Sequence, residues 1–343
     1  MRVMRNAVVV GWALGGVLGC ADGRQDDGIP RIRVVDPPLM AQETEVARPY
    51  SSEPDGMGFA VASAIAFHGD RLVVLETGNN RLVVFDDRHE PVAYLGREGS
   101  GPGEMRGGID LAVWEDEYAV VEINNNRVSV FGADGAFVRS FAVPNGFTTL
   151  AYGPDGTIYV NAYDGANYLL AADREGTLRP FGERPWPLYG DEVMVRPASQ
   201  AGGRFFVTAA ASGMIYVYDH ILTALVELDS AGQVRGLHRL PAAIVEGLLN
   251  QSALMAKDFG GGGRGATAAI TDLSLTDDGR LLLLFPNVGA IGLLVDPGDF
   301  TARLIKWSPE FDPRFGAGSG VLRGDTWYRL MGDEVRLFRL VPE

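Results

Sequence analysis

The chain is short of several residue types, and each shortage excludes something. Cys20 is the only cysteine in 343 residues, so no internal disulfide can form and no cysteine-rich metal site exists. Only Lys257 and Lys306 are lysines, so arginine supplies nearly all of the 30 basic residues. These are outweighed by 44 acidic residues, giving a net charge of −14 that would repel nucleic-acid phosphates. The four histidines, His68, His89, His220 and His238, never fall at metal-ligand spacing, and no HExxH, EF-hand or GxSxG pattern is present. No apolar run reaches the roughly 18 residues that a membrane-spanning helix requires. Apolar residues at 46% and charged residues at 22% are nevertheless ordinary globular composition. With 45 glycines and 19 prolines, the chain reads as many short strands joined by turns.

The N-terminus reads as an address. Arg2 and Arg5 precede the apolar run Ala7–Leu18, which has the length of a secretory h-region. Val17-Leu18-Gly19-Cys20 follows and resembles the lipobox of bacterial lipoproteins. The resemblance implies cleavage before Cys20 and lipidation of its sulfur and new amino terminus. Several acyl chains on one residue anchor firmly, whereas a single chain is marginal. Ala21, in place of the aspartate that holds such proteins at the inner membrane, points to the outer membrane. Residues 1–19 are thus expected to be a signal peptide and residues 20–30 a polar tether. The remaining residues, 31–343, form the folded domain. Loss of Arg2 and Arg5 makes the mature chain still more acidic, so membrane contact is expected through the lipid alone.

The body repeats. Ala64–Phe85 (AIAFHGDRLVVLETGNNRLVVF) aligns without a gap on Asp110–Phe131 (DLAVWEDEYAVVEINNNRVSVF) at an offset of 46. A third copy begins at Thr149 and a further one at Asp272. Each copy has an apolar strand, a turn such as Pro154-Asp155-Gly156 or Asp277-Asp278-Gly279, and a second apolar strand. Short strands with a period near 40 predict an all-β fold, a β-propeller whose sheets bury their faces against one another. Six blades are expected, at residues 55–98, 104–143, 146–183, 204–234, 267–306 and 321–341. Ile32–Val35 or Glu45–Arg48 would complete the last, so that both chain ends close the ring. A seventh blade would require two within residues 184–240. One helical insertion is expected over Ala242–Lys257, capping one end of the barrel.

The first two copies resemble NHL repeats through Val74-Leu75-Glu76, Asn79-Asn80-Arg81 and Phe85, and through Val120-Val121-Glu122, Asn125-Asn126-Arg127 and Phe131. Both depart from that pattern by carrying Glu where it has Asp. The loop Gly96–Met105 resembles the connector of bacterial six-bladed propeller lipoproteins. A residue type recurring once per repeat serves to build the repeat, so Glu76, Asn79, Arg81, Glu122, Asn125 and Arg127 are read as structural.

Two features are candidates for function. Asp110 and Asp272 are equivalent in the repeat and start innermost strands, where propeller side chains approach the axis. Some six-bladed propellers hold Ca²⁺ or Zn²⁺ there, and these residues are candidate metal ligands; two carboxylates alone do not make a site. Otherwise they are turn residues facing solvent. Trp186, between Pro185 and Pro187, is a candidate rim contact for a protein or glycan. The glycine-rich stretch Phe259–Thr267 lacks a phosphate-binding lysine and reads as a surface loop. The expectation is an exported, lipid-anchored, non-catalytic binding propeller without cofactor. The alternatives are a Ca²⁺- or Zn²⁺-dependent hydrolase, lactonase or lyase with an axial site, and a structural subunit of an envelope assembly.

Overall fold

The computed structural model describes residues 28–47, 61–144, 149–161, 166–185, 188, 205–258, 270–286, 288–309, 318–331 and 334–343. It is all-β with one helix. After β1 (Arg33–Val34) and β2 (Leu39–Ala47), the chain folds into successive antiparallel four-stranded meanders. The first holds β3 (Ala62–His68), β4 (Arg71–Glu76), β5 (Arg81–Phe85) and β6 (Pro91–Leu95). The second holds β7 (Gly108–Trp114), β8 (Glu117–Glu122), β9 (Arg127–Gly132) and β10 (Phe137–Ala142). β11 (Leu150–Tyr152), β12 (Ile158–Asn161), β13 (Asn167–Ala172) and β14 (Leu178–Glu183) make the third. β15 (Phe206–Ala209), β16 (Ile215–Asp219), β17 (Ala224–Leu228) and β18 (Val234–Arg239) make the fourth.

Helix α1 (Ala242–Asp258) follows, then a nine-stranded sheet. That sheet joins the meander β19 (Asp272–Leu275), β20 (Leu281–Leu284), β21 (Gly292–Asp296) and β22 (Thr301–Trp307) to β23 (Gly320–Arg323), β24 (Thr326–Met331) and β25 (Glu334–Pro342). β2 lies between them, parallel to β22 at Leu39↔Ile305 and antiparallel to β25 from Leu39↔Pro342 to Ala47↔Val335. The first strands β3, β7, β11, β15, β19 and β23 touch in that cyclic order, and β23 returns to β3. The arrangement is a β-propeller.

Position within a blade decides which strands are apolar. The second and third strands lie between neighbouring sheets and are covered on both faces, so β5, β16 and β20 are buried end to end. The outermost strands β6 and β10 alternate between covered and exposed residues, because one face meets water. The cores are accordingly interfaces between adjacent sheets. Ala64, Val73, Leu75, Leu82 and Val84 of the first meander pack on Leu111, Tyr118, Val120 and Phe131 of the second. Gly156 turns the β11–β12 hairpin at φ +81°, and a Cβ there would lie 2.8 Å from the Trp114 ring. Glycine meets both demands.

Of the two N-terminal segments expected to complete the last blade, Glu45–Arg48 does so through Glu45, Val46 and Ala47 of β2, which pair with Leu337, Arg336 and Val335. Ile32–Val35 does not. β1 instead runs parallel to β22 at Arg33↔Thr301, and the edge of β25 is taken by β2. The first half of the helix packs Ile244, Val245 and Leu248 with Tyr216, Tyr218, Leu283 and Phe285, and among the described residues none of the helix lines the axial cavity. Residues 205–239 form one meander, so among the described residues 184–240 does not hold two.

Candidate functional site

The first strands surround an axial cavity of about 420 Å³, lined by residues of β3, β7, β11, β15, β19 and β23. Its walls mix apolar side chains, Ile65, Leu111, Val113, Leu150, Val207 and Leu273 among them, with polar groups that make up slightly more of the exposed lining. Polar groups gather where the strands begin. Asp110, Thr149, Asp272 and Ser319 all line the cavity there.

Asp110 and Asp272 make the same connection in different sheets. Asp110 Oδ1 accepts from its neighbour Leu111 N at 2.9 Å, and Oδ2 accepts from Leu150 N at 2.9 Å, at the head of the next innermost strand. Asp272 Oδ1 accepts from Leu273 N at 2.8 Å. Its Oδ2 accepts from Ser319 Oγ at 2.7 Å and Gly320 N at 2.9 Å, again at the head of the next innermost strand. Each carboxylate therefore clamps one blade to its successor. Both sit at strand starts, half-buried, with their exposed part on the cavity. The structure brings them into one cavity from the second and fifth positions of the ring.

That setting shifts both acids. Burial pushes Asp110 up to about 7; the backbone N–H of Leu150 opposes the shift, and the charge of Asp272 adds to it. Burial also raises Asp272, opposed by its hydrogen bonds from Ser319, Gly320 and Leu273 and by the charge of Arg329. Arg329 on β24 is 2% exposed, with its guanidinium 4.7 Å from the Trp327 ring centre and 5.1 Å from that of Trp307. Burial pulls it down to about 10.

A hard cation fits this floor poorly. Ca²⁺ takes six or more oxygens and Zn²⁺ generally four ligands. Among the described residues no group of three His, Cys, Asp or Glu side chains could hold a metal. The two carboxylates supply four oxygens at most, each also accepting a hydrogen bond from the protein.

The repeated polar residues form two buried clusters away from the axis. In the first, Glu76 is fully buried and accepts from Asn79 Nδ2 and Arg81 Nε, both at 2.6 Å. In the second, Glu122 accepts from Asn125 Nδ2, Arg127 Nε, Ser129 Oγ and Arg106 N at 2.5–2.9 Å. Arg127 also donates to the carbonyls of Ser100 and Glu104, and Asn125 to that of Gly99, which fixes the 97–106 connector to the blade. Asn80 and Asn126 sit at φ +55° and +49°, a conformation asparagine tolerates, so the middle Asn makes the turn and its neighbours reach the Glu.

Asn161 and Asp219 end β12 and β16, where Glu76 and Glu122 end β4 and β8, and both are fully buried. The sequence pattern hides them, because the Asn-x-Arg partner is absent from those repeats. Ser319 was equally hidden, since it completes the Asp272 clamp from 47 residues away. Its only signal is its place one residue before a first strand. Cys20 and Trp186 lie outside the described residues. Among the described residues no helix is long and apolar enough to cross a membrane.

No protein-family model and no curated protein matches the chain. Solved structures do. Virginiamycin B lyase of Staphylococcus aureus superposes with TM-score 0.54 at 11% identity, covering 88% of this chain and all of that one. A streptogramin B lyase gives TM-score 0.54 at 11% identity, covering 89% of this chain and 98% of that one. A Bacteroides fragilis protein described as exported gives TM-score 0.57 at 13% identity, covering 92% and 99%. At such identities the likeness is one of fold: the chain shares the β-propeller architecture of these proteins.

Proposed function

We propose that this is an exported, lipid-anchored six-bladed β-propeller that binds a small ligand in its axial cavity without transforming it. The blade count takes the nine-stranded sheet as two blades, β19–β22 and β23–β25 completed by β2. This agrees with the ring of six first strands. The lipobox-like Val17–Cys20 supports the anchor, and Ala21 supports placement at the outer membrane.

The observation that carries the binding reading is the cavity itself: about 420 Å³, with apolar side chains along the strands and polar groups towards both ends. Ligand sites have this make-up, and its volume falls in their usual range of roughly 300–1,000 Å³. Both carboxylates hold the next blade by accepting backbone hydrogen bonds, a positioning role that the binding reading accommodates.

A metal-dependent lyase or hydrolase is the second reading, favoured by the fold shared with two lyases. Elemental analysis of the purified protein after exhaustive dialysis separates the two. The binding reading expects no stoichiometric Ca²⁺ or Zn²⁺. One ion per chain, with turnover of an ester or lactone lost in Asp110→Ala or Asp272→Ala, would overturn it.

A further inference from the structure

We propose that the axial cavity recognises a primary ammonium group carried on a small apolar body, with the ammonium held between Asp110 and Asp272. The inference rests on the reading of the cavity as a ligand site and goes further by naming the ligand's chemistry. Three observations converge on it.

The first is charge. Asp110 and Asp272 enter one cavity from the second and fifth of six first strands, and the charge of Asp272 acts on Asp110. Among the described residues Arg323 is the one cation lining the cavity, which Asp277 also lines. Arg323 sits at the far end of β23. There it donates to Asp70 at 2.9 Å and lies 4.8 Å over the Phe67 ring. Arg329 offsets Asp272 from outside the lining. An arriving cation would supply the counter-charge that the cavity floor lacks.

The second is donor and acceptor count. Backbone N–H groups fix the orientation of both carboxylates, and each carboxylate has about four lone-pair sites. Those remaining match the three N–H donors of an ammonium. They do not match the six or more oxygens of a hard cation.

The third is shape. A cavity of about 420 Å³ is far larger than one ion, and Leu111, Val113, Val207, Leu273 and Leu275 offer apolar wall to a hydrocarbon body. The net charge of −14 would also draw cations towards the protein.

Isothermal titration of the full-length protein in detergent at about pH 8 tests the proposal. The probes are a straight-chain alkylammonium series, 2-phenylethylammonium, its neutral counterpart 2-phenylethanol, and CaCl₂. At least one ammonium should bind with Kd below about 1 mM, and at least about tenfold more tightly than the alcohol. Asp110→Asn and Asp272→Asn should each weaken it by about tenfold or more. Ala209→Trp, which fills the cavity and leaves both carboxylates in place, should abolish binding, so the test does not depend on the aspartate variants folding.

Equal binding of ammonium and alcohol, both lost in Ala209→Trp, would overturn the amine proposal while leaving the cavity as a ligand site. Displacement of the ammonium by Ca²⁺ at lower concentration would likewise overturn it in favour of a metal. Absence of binding by every ammonium would overturn the proposal. In that case the fate of the broader reading is decided separately, by whether the protein retains a small molecule of its own.

Discussion

At the scale of single residues, buried charge is spent on holding loops and blades in place. Glu122 gathers four donors from three parts of the chain and has no exposed surface. Removing it strands Arg127 without its carboxylate, and breaking a buried pair from one side costs about 3–5 kcal/mol. Glu122→Ala is therefore expected to destabilise the protein by that order in urea unfolding, and Glu122→Gln, which keeps an acceptor, by clearly less. Asp110 behaves differently because the fold favours its protonated form, with a pKa near 7 against an ordinary 3.8. Its stabilising contribution is full below about pH 4 and is lost as the pH rises through about 7. Asp110→Asn should flatten that slope in thermal melts between pH 4 and 8. It should also lower stability by about 1–2 kcal/mol at acid pH, since an amide nitrogen cannot accept from Leu150 N or Leu111 N. An unchanged pH slope would contradict the assignment.

At the scale of elements, the N-terminal arm and the middle strands carry the architecture. The arm donates Ile32 N to Arg239 O of the fourth meander and Val35 N to Ala302 O of the fifth, then inserts β2 beside β25. It thus covers strand edges that would otherwise be open to aggregation. A chain beginning at residue 48 is expected to elute as aggregate in size-exclusion chromatography, where one beginning at residue 28 stays monodisperse. In β20, Leu281–Leu284 is buried on both faces, and Leu283→Ala should cost about 2–5 kcal/mol.

Much of this level is legible in the sequence. The repeat from Ala64 to Phe131 announces its strands, and Asp-Gly turns mark the hairpins. Which N-terminal segment completes the last blade is not legible. Ile32–Val35 has the stronger β-forming composition, yet pairing is settled by which open edge lies within reach, and Leu39–Ala47 takes it. The same limit applies to the axis. Position in the repeat brings Asp110 and Asp272 to the start of innermost strands. Their partners Leu150 and Ser319 stand 40 and 47 residues away, linked only once the ring closes.

At the scale of the whole molecule, closing six first strands around an axis leaves a space that no single blade could enclose. The blades meet through apolar interfaces, and two of the joints carry an aspartate clamp on the cavity side. On the proposed reading, stability and ligand recognition draw on the same two carboxylates. A cation bound between them would favour their ionised form, so its binding should raise the melting temperature more at about pH 8 than at pH 5.

Whether the axial cavity is a ligand site is decided by native mass spectrometry of the purified full-length protein. Wild type should carry a small molecule that Ala209→Trp has lost, with both proteins folded by circular dichroism. A bare wild-type mass, or an adduct retained equally by Ala209→Trp, would contradict the account.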